Sequence, residues 1–418
     1  MATINLSKIT LQGIGTFLIL LYPIMVIGYL PFGGGIRYYS VLVPAAILLL
    51  TTNLIKNNYP PFKNTPKSIW QLTIPFIPFI PFIACAIVTS LYHDSIKTLN
   101  NINIQILYAF LLSILLSQQK INLSTIIKSN ALACTAFFIT SMYEIFLLGR
   151  SRAWGLVYEN TFGQFSVLCT GICLIAMRKH SLTPKEKYLL ISSIAMGTAA
   201  ALMSGSRGAL LPLICLSSYL FLNKKNISTI VTCVALILIA AAIAATKSME
   251  RIGLLFLETA NYISHGEFMN SSIGIRLELW KISLKSLSTN HPYGFGAIPF
   301  IKLGEKIPEI KNSTDYMHQY FSGGGNSLPW MFHGDIPQII ITGGPLLLLG
   351  FISSAIFLYK QYNKNAFQTW VLFCAFIWGW SELIIFNRIS LGLILINLVL
   401  FSPSTWKSYH STRFNDTH

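Results

Sequence analysis

The chain has 418 residues, of which 53% are hydrophobic and only 11% are charged. A soluble domain carries roughly a quarter charged residues, so the composition excludes a water-soluble globule and indicates a membrane protein with many apolar helices. The formal net charge of +16 does not indicate nucleic-acid binding, because basic residues in a membrane protein mainly set its orientation.

Apolar runs near the length of a membrane span occur along almost the whole chain. A spanning helix needs roughly 20 residues, and about twelve runs qualify: 11–31, 39–55, 70–92, 99–117, 124–148, 162–177, 188–204, 208–222, 227–246, 337–359, 367–386 and 389–404. The first run lacks a small-residue cleavage site at its end, so we expect a retained span and not a signal peptide. Three prolines, Pro75, Pro78 and Pro81, predict a kink in the third.

The basic residues divide unevenly between the two sides of the membrane. With a cytoplasmic N-terminus, sixteen of the thirty Lys and Arg residues fall in the cytoplasmic segments, six in the short outward segments and eight in one long polar loop. The positive-inside rule therefore predicts that both termini are cytoplasmic. The predicted fold is all-α, with membrane helices 1–9 in residues 1–246, an outward loop subdomain in 247–336, and membrane helices 10–12 with a cytoplasmic tail in 337–418.

The long loop contains a predicted amphipathic helix. Segment 274–288 has apolar residues at helical spacing, and residues 291–296 (His-Pro-Tyr-Gly-Phe-Gly) end it with a turn. Arg276 and Trp280 lie four residues apart and share a face of that helix. This face could bind a substrate, or it could be an interfacial helix with a tryptophan anchor.

Arginines adjoin predicted spans on the outward side, where basic residues are least expected. Arg207 lies in a short turn, residues 204–209 (Ser-Gly-Ser-Arg-Gly-Ala), whose serines Ser204 and Ser206 add hydroxyl donors. A guanidinium beside such donors suits pyrophosphate oxygens. The alternative is a tight interhelical turn with a snorkelling arginine.

Two more outward arginines, Arg152 and Arg388, are weaker candidates for contacting a lipid phosphate. Two carboxylates inside predicted spans, Glu144 and Glu382, could have a function of their own or could pair with a nearby arginine.

One histidine is a candidate base. His333 precedes the tenth predicted span, and a near-neutral imidazole can take a proton from a sugar hydroxyl. The alternative is an interfacial histidine beside an aromatic belt. The sequence has no Walker A loop, no HExxH motif and no Cys/His cluster, so we expect chemistry without a metal or other cofactor.

Taken in this order, the outward motifs resemble the O-antigen ligase/polymerase superfamily of bacterial envelope proteins. The resemblance covers roughly residues 150–355 and rests on the turn 204–209, on Arg276-x-x-x-Trp280 followed by 292–296, and on His333 with Gly344. Upstream, residues 152–155 (Arg-Ala-Trp-Gly) and Asn160 fit as well. One departure is Gly334, because many members have Asn or Ser directly after the histidine.

Within the superfamily, the ligase branch has the most similar layout, with about twelve spans and one large periplasmic loop between the ninth and the tenth. The resemblance implies a GT-C-like enzyme of the bacterial inner membrane, with its active site facing the periplasm. Such a ligase moves O-antigen from undecaprenyl pyrophosphate to a sugar hydroxyl of lipid A-core, with inversion and without metal or nucleotide.

The resemblance also implies roles for particular residues. Arg207 and Arg276 would grip the pyrophosphate, and His333 would act as general base or orient the acceptor. The remaining implied contacts with substrate are those of Arg152, Arg388, Ser204, Ser206 and Trp280.

Other functions stay open at this point. An O-antigen polymerase or an O-linked protein oligosaccharyltransferase of the same superfamily would use the same donor chemistry. A lipid-linked sugar transporter is disfavoured, because transporters often show repeat symmetry and charges deep within their spans. Here the two halves differ, and most charges avoid the centres of the spans.

Overall fold

The chain folds into a helical bundle. A computed structural model describes residues 11–27, 35–56, 74–95, 97–118, 121–155, 159–179, 182–221, 247–265, 272–288, 291–296, 332–363, 365–380, 382–402 and 405–407. Within these ranges the α-helices, in chain order, are α1 Leu11–Ile27, α2 Gly35–Lys56, α3 Ile80–Tyr92, α4 Lys97–Gln118, α5 Leu123–Met142, α6 Glu159–Lys179, α7 Pro184–Met203, α8 Arg207–Phe221, α9 Lys247–His265, α10 Ser272–Ser286, α11 Asp335–Tyr362, α12 Ala366–Gly379 and α13 Arg388–Leu400. A 3-10 helix, Ile74–Phe79, leads into α3, and a π-helical turn, Tyr143–Leu147, extends α5.

Three of these helices are long and apolar enough to cross a membrane by themselves. They cover Leu123–Leu147, Asn160–Arg178 and Asp335–Tyr362, and six shorter apolar helices accompany them in the described ranges. The mostly helical fold is therefore confirmed. The count of twelve spans and the GT-C-like layout stay predictions.

Most predicted spans coincide with helices, with shifts at their ends. The prolines of the third span produce the predicted break, because the 3-10 turn Ile74–Phe79 precedes α3. The ninth predicted span, 227–246, lies outside the described residues. The eleventh was predicted to run to residue 386, but α12 ends at Gly379, so Glu382 lies in the segment that follows the helix. In the long loop, α10 confirms a helix over most of the predicted segment 274–288, but the prediction that it is amphipathic is wrong, because its apolar residues are not gathered on one face. The amphipathic helix of this loop is α9, which precedes it.

Helix α6 forms the centre of the bundle. Residues 161–176 are all buried, and α6 packs against α5, α7, α8 and α12. Small residues allow this close approach: a Cβ on Gly171 would lie 2.1 Å from the ring of Trp370 on α12, and one on Gly163 would lie 2.2 Å from the Ser204 hydroxyl. The start of α6, beside residue 160, is therefore held against the turn between α7 and α8.

The loops meet in two groups at opposite ends of the helices. At one end, Lys128 pairs with Glu186 at 3.2 Å, and the two-residue strand β1 (Ile121–Asn122) pairs with β2 (Trp406–Lys407). At the other end, the side chain of Arg152 reaches the turn after α7, and that of Asn160 reaches Glu382. Loops that the charge pattern assigned to the same side of the membrane thus contact one another.

Helix α11 is broken near its middle, and the loop after α10 repairs the break. Gly344 has φ +60° within α11 and is followed by Pro345, which has no N–H to donate to Ile341. The amide of Phe295 donates to the Ile341 carbonyl instead, at 2.8 Å, and Gly296 donates to Thr342 at 3.0 Å. The segment 292–296 therefore supplies backbone donors that the helix itself lacks.

Candidate functional site

The turn between α7 and α8 is organised from within. Gly205 takes a positive φ of +59°, and both neighbouring serines are buried. The Ser204 hydroxyl donates to the Ala201 carbonyl at 2.6 Å, and the Ser206 hydroxyl donates to the Asn160 carbonyl at 3.3 Å. Both hydroxyls thus bond to backbone in this structure, and their predicted contact with phosphate stays a prediction.

Arg152 binds the backbone of that turn. Its side chain is 6% exposed, and its Nε donates to the carbonyl of Ser204 at 2.8 Å. Its Nη2 lies 3.4 Å from the carbonyl of Gly205 and 3.3 Å from Oδ1 of Asn160. This arginine therefore positions the turn that precedes Arg207, and its predicted role in phosphate binding is untested.

A polar chain continues from Asn160 to Arg276. The amide of Asn160 donates to Oε1 of Glu382 at 2.7 Å, and Nη2 of Arg276 lies 2.6 Å from the same oxygen. Three remote segments meet there: the start of α6, the helix α10 and the segment after α12. One carboxylate oxygen thus holds both the asparagine and the arginine in place.

Arg207 is also paired with a carboxylate. Its two terminal nitrogens bond to the two oxygens of Glu258 on α9, at 2.8 and 3.0 Å. This fork-to-fork geometry is the one that a guanidinium makes with phosphate. One turn further along α9, the Tyr262 hydroxyl donates to Glu278 on α10 at 3.0 Å, so α9 links the turn of Arg207 to the helix of Arg276.

His333 lies close enough to Arg276 for the charge of the guanidinium to affect the imidazole. The imidazole is half-buried, and desolvation together with the positive charge of Arg276 lowers the pKa of His333 to about 4. The ring is therefore neutral at physiological pH and can accept a proton. An anion bound to Arg276 would offset that charge and make the imidazole a stronger base.

The presence of glycine at position 334 has a steric explanation in this chain. Its φ is +120°, and a Cβ at this position would lie 2.8 Å from the carbonyl oxygen of Trp380. The same carbonyl accepts the indole N–H of Trp280 at 3.2 Å. The departure from Asn or Ser after the histidine therefore coincides with a close approach of the Trp380 backbone to this segment.

Two tryptophans form a stacked pair between α10 and the end of α12. The rings of Trp280 and Trp380 lie 5.0 Å apart at an interplanar angle of 19°, and Phe376 contacts Trp380 edge-on. Trp280 is one helical turn from Arg276, as its sequence spacing predicted. The pair thus joins α10, the helix of Arg276, to the end of α12.

Asp335 fixes the segment that carries Glu382. The residue is 2% exposed, and its carboxylate accepts hydrogen bonds from the backbone amides of Ile384 and Ile385, each at 2.9 Å. It therefore ties the start of α11, two residues after His333, to the connection between α12 and α13.

The carboxylate Glu144 has a structural partner. It pairs with Arg150 at 2.5 Å and accepts the backbone amides of Trp154 and Gly155 at 2.6 and 3.0 Å. Of the two readings that the sequence allowed, pairing with a nearby arginine is the one seen.

The structure thus brings Arg152, Arg276 and His333 to one end of the bundle, and Arg207 pairs with Glu258 beside the same turn. Arg388 is the first residue of α13, and its side chain lies outside what the structure describes. Sequence reasoning gave no role to Glu258, Asp335 or Trp380. Their signal was weak, since each is a single residue near the end of an apolar run or in the long loop.

The arrangement suits the binding and transfer of an anion-linked group. Two guanidiniums are each oriented by one carboxylate that a stronger anion could replace, and a neutral imidazole lies beside one of them. Cations placed where negative charge develops stabilise a phosphate leaving group, and a neutral imidazole can take the proton from an attacking hydroxyl.

Comparison with known proteins finds a similarity over part of the chain. Residues 191–352 match the family model described as O-antigen ligase, a stretch that contains Arg207, Arg276 and His333. No curated protein matches the chain. The apolar helices and this match indicate a membrane protein, and the match supports the O-antigen ligase/polymerase superfamily without separating ligases from polymerases.

Proposed function

We propose that the protein is an O-antigen ligase of the bacterial inner membrane. It transfers O-antigen from undecaprenyl pyrophosphate to a sugar hydroxyl of lipid A-core on the periplasmic face. The observation that carries the proposal is the contact set of Arg276, in which Glu382 orients the guanidinium and His333 lies in its field. Through Glu382, this set joins the matched segment to the segment after α12 and to Asn160 at the start of α6.

The proposed transfer is one displacement. The acceptor hydroxyl attacks the anomeric carbon from the face opposite the pyrophosphate, and the bond between that carbon and the pyrophosphate oxygen breaks. His333 takes the hydroxyl proton, and the pyrophosphate leaves with the bonding electron pair. Arg276 and Arg207 stabilise the charge that builds on the leaving group, while Arg152 and Arg388 add weaker electrostatic contacts.

Reconstituted transfer tests the roles of the residues. His333→Ala should lower kcat by roughly 100-fold or more, because it removes the general base. Arg276→Ala should lower kcat/KM by a similar factor, and Arg276→Lys should restore only part of it, because lysine keeps the charge but loses the fork. His291→Ala and Lys281→Ala are the matched controls, since both side chains are exposed. Wild-type turnover by His333→Ala would contradict the mechanism.

A deletion strain tests the acceptor. For a ligase, lipopolysaccharide gels should show lipid A-core without long O-chains, while the chains accumulate on the carrier lipid. A single repeat left on the core would instead identify a polymerase. Loss of glycoproteins with intact lipopolysaccharide would identify a protein oligosaccharyltransferase.

A further inference from the structure

An apolar groove runs along the three last described helices. Its volume is about 790 Å³, and α11, α12 and α13 form most of its walls with residues such as Phe351, Phe376 and Leu395. Along α11 the lining includes Asp335 and Ile336 before the break at Gly344 and runs from Leu348 to Lys360 after it. The second stretch alone corresponds to roughly 20 Å of helix. The groove therefore covers a large part of the hydrocarbon core of a bilayer, which is about 30 Å thick.

One end of the groove adjoins the candidate site. Asp335, Gly379 and Ile385 line that end, and Asp335 is two residues from His333. Ile385 is three residues from Glu382, the partner of Arg276. A lipid whose phosphate lay at Arg276 could therefore enter the groove without leaving the protein surface.

The tryptophan pair marks the path between the two. Phe376 lines the groove and contacts Trp380, which stacks on Trp280, one turn from Arg276. Aromatic rings thus follow one another from the apolar wall of the groove to the helix that carries Arg276. This continuity distinguishes the groove from an isolated lipid-facing crevice.

We propose that this groove holds the isoprenoid tail of the donor lipid. The assignment rests on the proposed function, and it names the part of the chain that recognises the carrier. Both α12 and α13 lie outside the segment 191–352 that matches the family model, so recognition of the tail lies largely beyond the matched segment. Each methylene that is buried adds to the favourable free energy of binding. If the tail lies in the groove, the affinity for the donor should therefore rise with the length of its tail.

Filling the groove tests the proposal. Ala355 and Ala375 line it on two different helices, and tryptophan at either position should occupy its space. The measurement is binding of undecaprenyl pyrophosphate and of geranyl pyrophosphate, which share the head group, to the full-length protein in nanodiscs. Ala355→Trp and Ala375→Trp should weaken undecaprenyl binding roughly tenfold or more and leave geranyl binding nearly unchanged.

The matched control is Leu349→Trp on α11, a position that is 62% exposed and outside the groove lining. It should keep the wild-type preference for the long tail. An undecaprenyl pyrophosphate with a photoreactive tail, bound to the wild-type protein, should label α11, α12 or α13, and this second measurement does not depend on any variant folding.

Several results would overturn the assignment. Retention of the wild-type tail preference by both filled variants would do so, as would labelling confined to α1 and α2. Loss of bound bilayer phospholipid with unchanged carrier binding would make the groove a phospholipid site. A rise in the KM of the acceptor alone would assign it to the acceptor's acyl chains. Tail-dependent binding without any transfer would support the groove and contradict the proposed function.

Discussion

At the scale of single residues, the two arginines predicted to grip the pyrophosphate, Arg207 and Arg276, are already paired with carboxylates. Arg207 makes a two-pronged pair with Glu258, and Arg276 bonds to Glu382 at 2.6 Å. The side chains of both pairs are 12–21% exposed. An incoming pyrophosphate has to replace these carboxylates, so each glutamate orients its arginine and also competes with the donor.

Replacing Glu258 should therefore change donor binding. Glu258→Gln keeps the size of the side chain but removes the competing charge, and we expect the KM for donor to fall roughly three- to tenfold. The check is a comparison of KM and kcat in reconstituted transfer. Glu186→Gln is the control, because Glu186 pairs with Lys128 at the opposite end of the helices. A raised KM in Glu258→Gln would show that the carboxylate only positions the arginine.

The pH dependence should follow His333. Its pKa lies at about 4 because of burial and, second, because of Arg276, so the neutral base persists above that pH and is lost as pH falls through it. The acid limb of kcat/KM should therefore lie near pH 4, and that of kcat should lie higher, because bound donor offsets the charge of Arg276.

The variant Arg276→Ala checks the cause of this shift. Removing the positive charge should move the acid limb of its residual kcat/KM upward, while Lys281→Ala should leave it in place. If the wild-type protein, Arg276→Ala and Lys281→Ala had the same acid limb, the charge of Arg276 would not be a cause of the lowered pKa of His333.

At the scale of elements, the 292–296 loop packs its backbone very closely against the break in α11. Gly294 has φ +66°, and a Cβ there would lie 2.5 Å from the backbone nitrogen of Gly344. His93 supports the loop from α3, since its Nε2 lies 2.9 Å from the Tyr293 carbonyl. The loop thus fixes the break in α11, which follows the segment of His333 along the chain.

Substitution at Gly294 should destabilise the protein through this contact. Gly294→Ala combines backbone strain with overpacking, for an expected loss of about 2–4 kcal/mol. Gly149→Ala is a close control, because Gly149 has φ +65° but no neighbour within 4 Å of an added Cβ, so only the strain of about 1–2 kcal/mol applies. Thermal unfolding in detergent measures both. Equal losses would mean that the close approach to Gly344 contributes nothing.

At the scale of the whole molecule, the sequence predicted the helices well and the contacts poorly. Hydropathy located most of the described helices, and Pro78 located the break before α3, because both are local properties of the chain. The partners of Arg207 and Arg276 could not be predicted, since Glu258 and Glu382 are 51 and 106 residues away and nothing local marks the pairing. The site itself therefore depends on tertiary structure.

The orientation in the membrane is a further prediction at this scale. In a background without other reactive cysteines, Ser151→Cys should react with a membrane-impermeant thiol reagent from the periplasm, and Lys187→Cys should react only after the inner membrane is opened. Both side chains are exposed, and they belong to the two opposite groups of loops. The reverse pattern would place the candidate site in the cytoplasm.

The repair of α11 by a neighbouring loop has a consequence for biogenesis. A broken helix within lipid leaves backbone groups without partners at considerable cost, so α11 cannot settle in the bilayer by itself. Its donors come from residues 292–296, which are synthesised first and, on the predicted topology, have already been translocated when α11 leaves the ribosome. Stable insertion of this helix should thus wait for a soluble segment to dock from the far side.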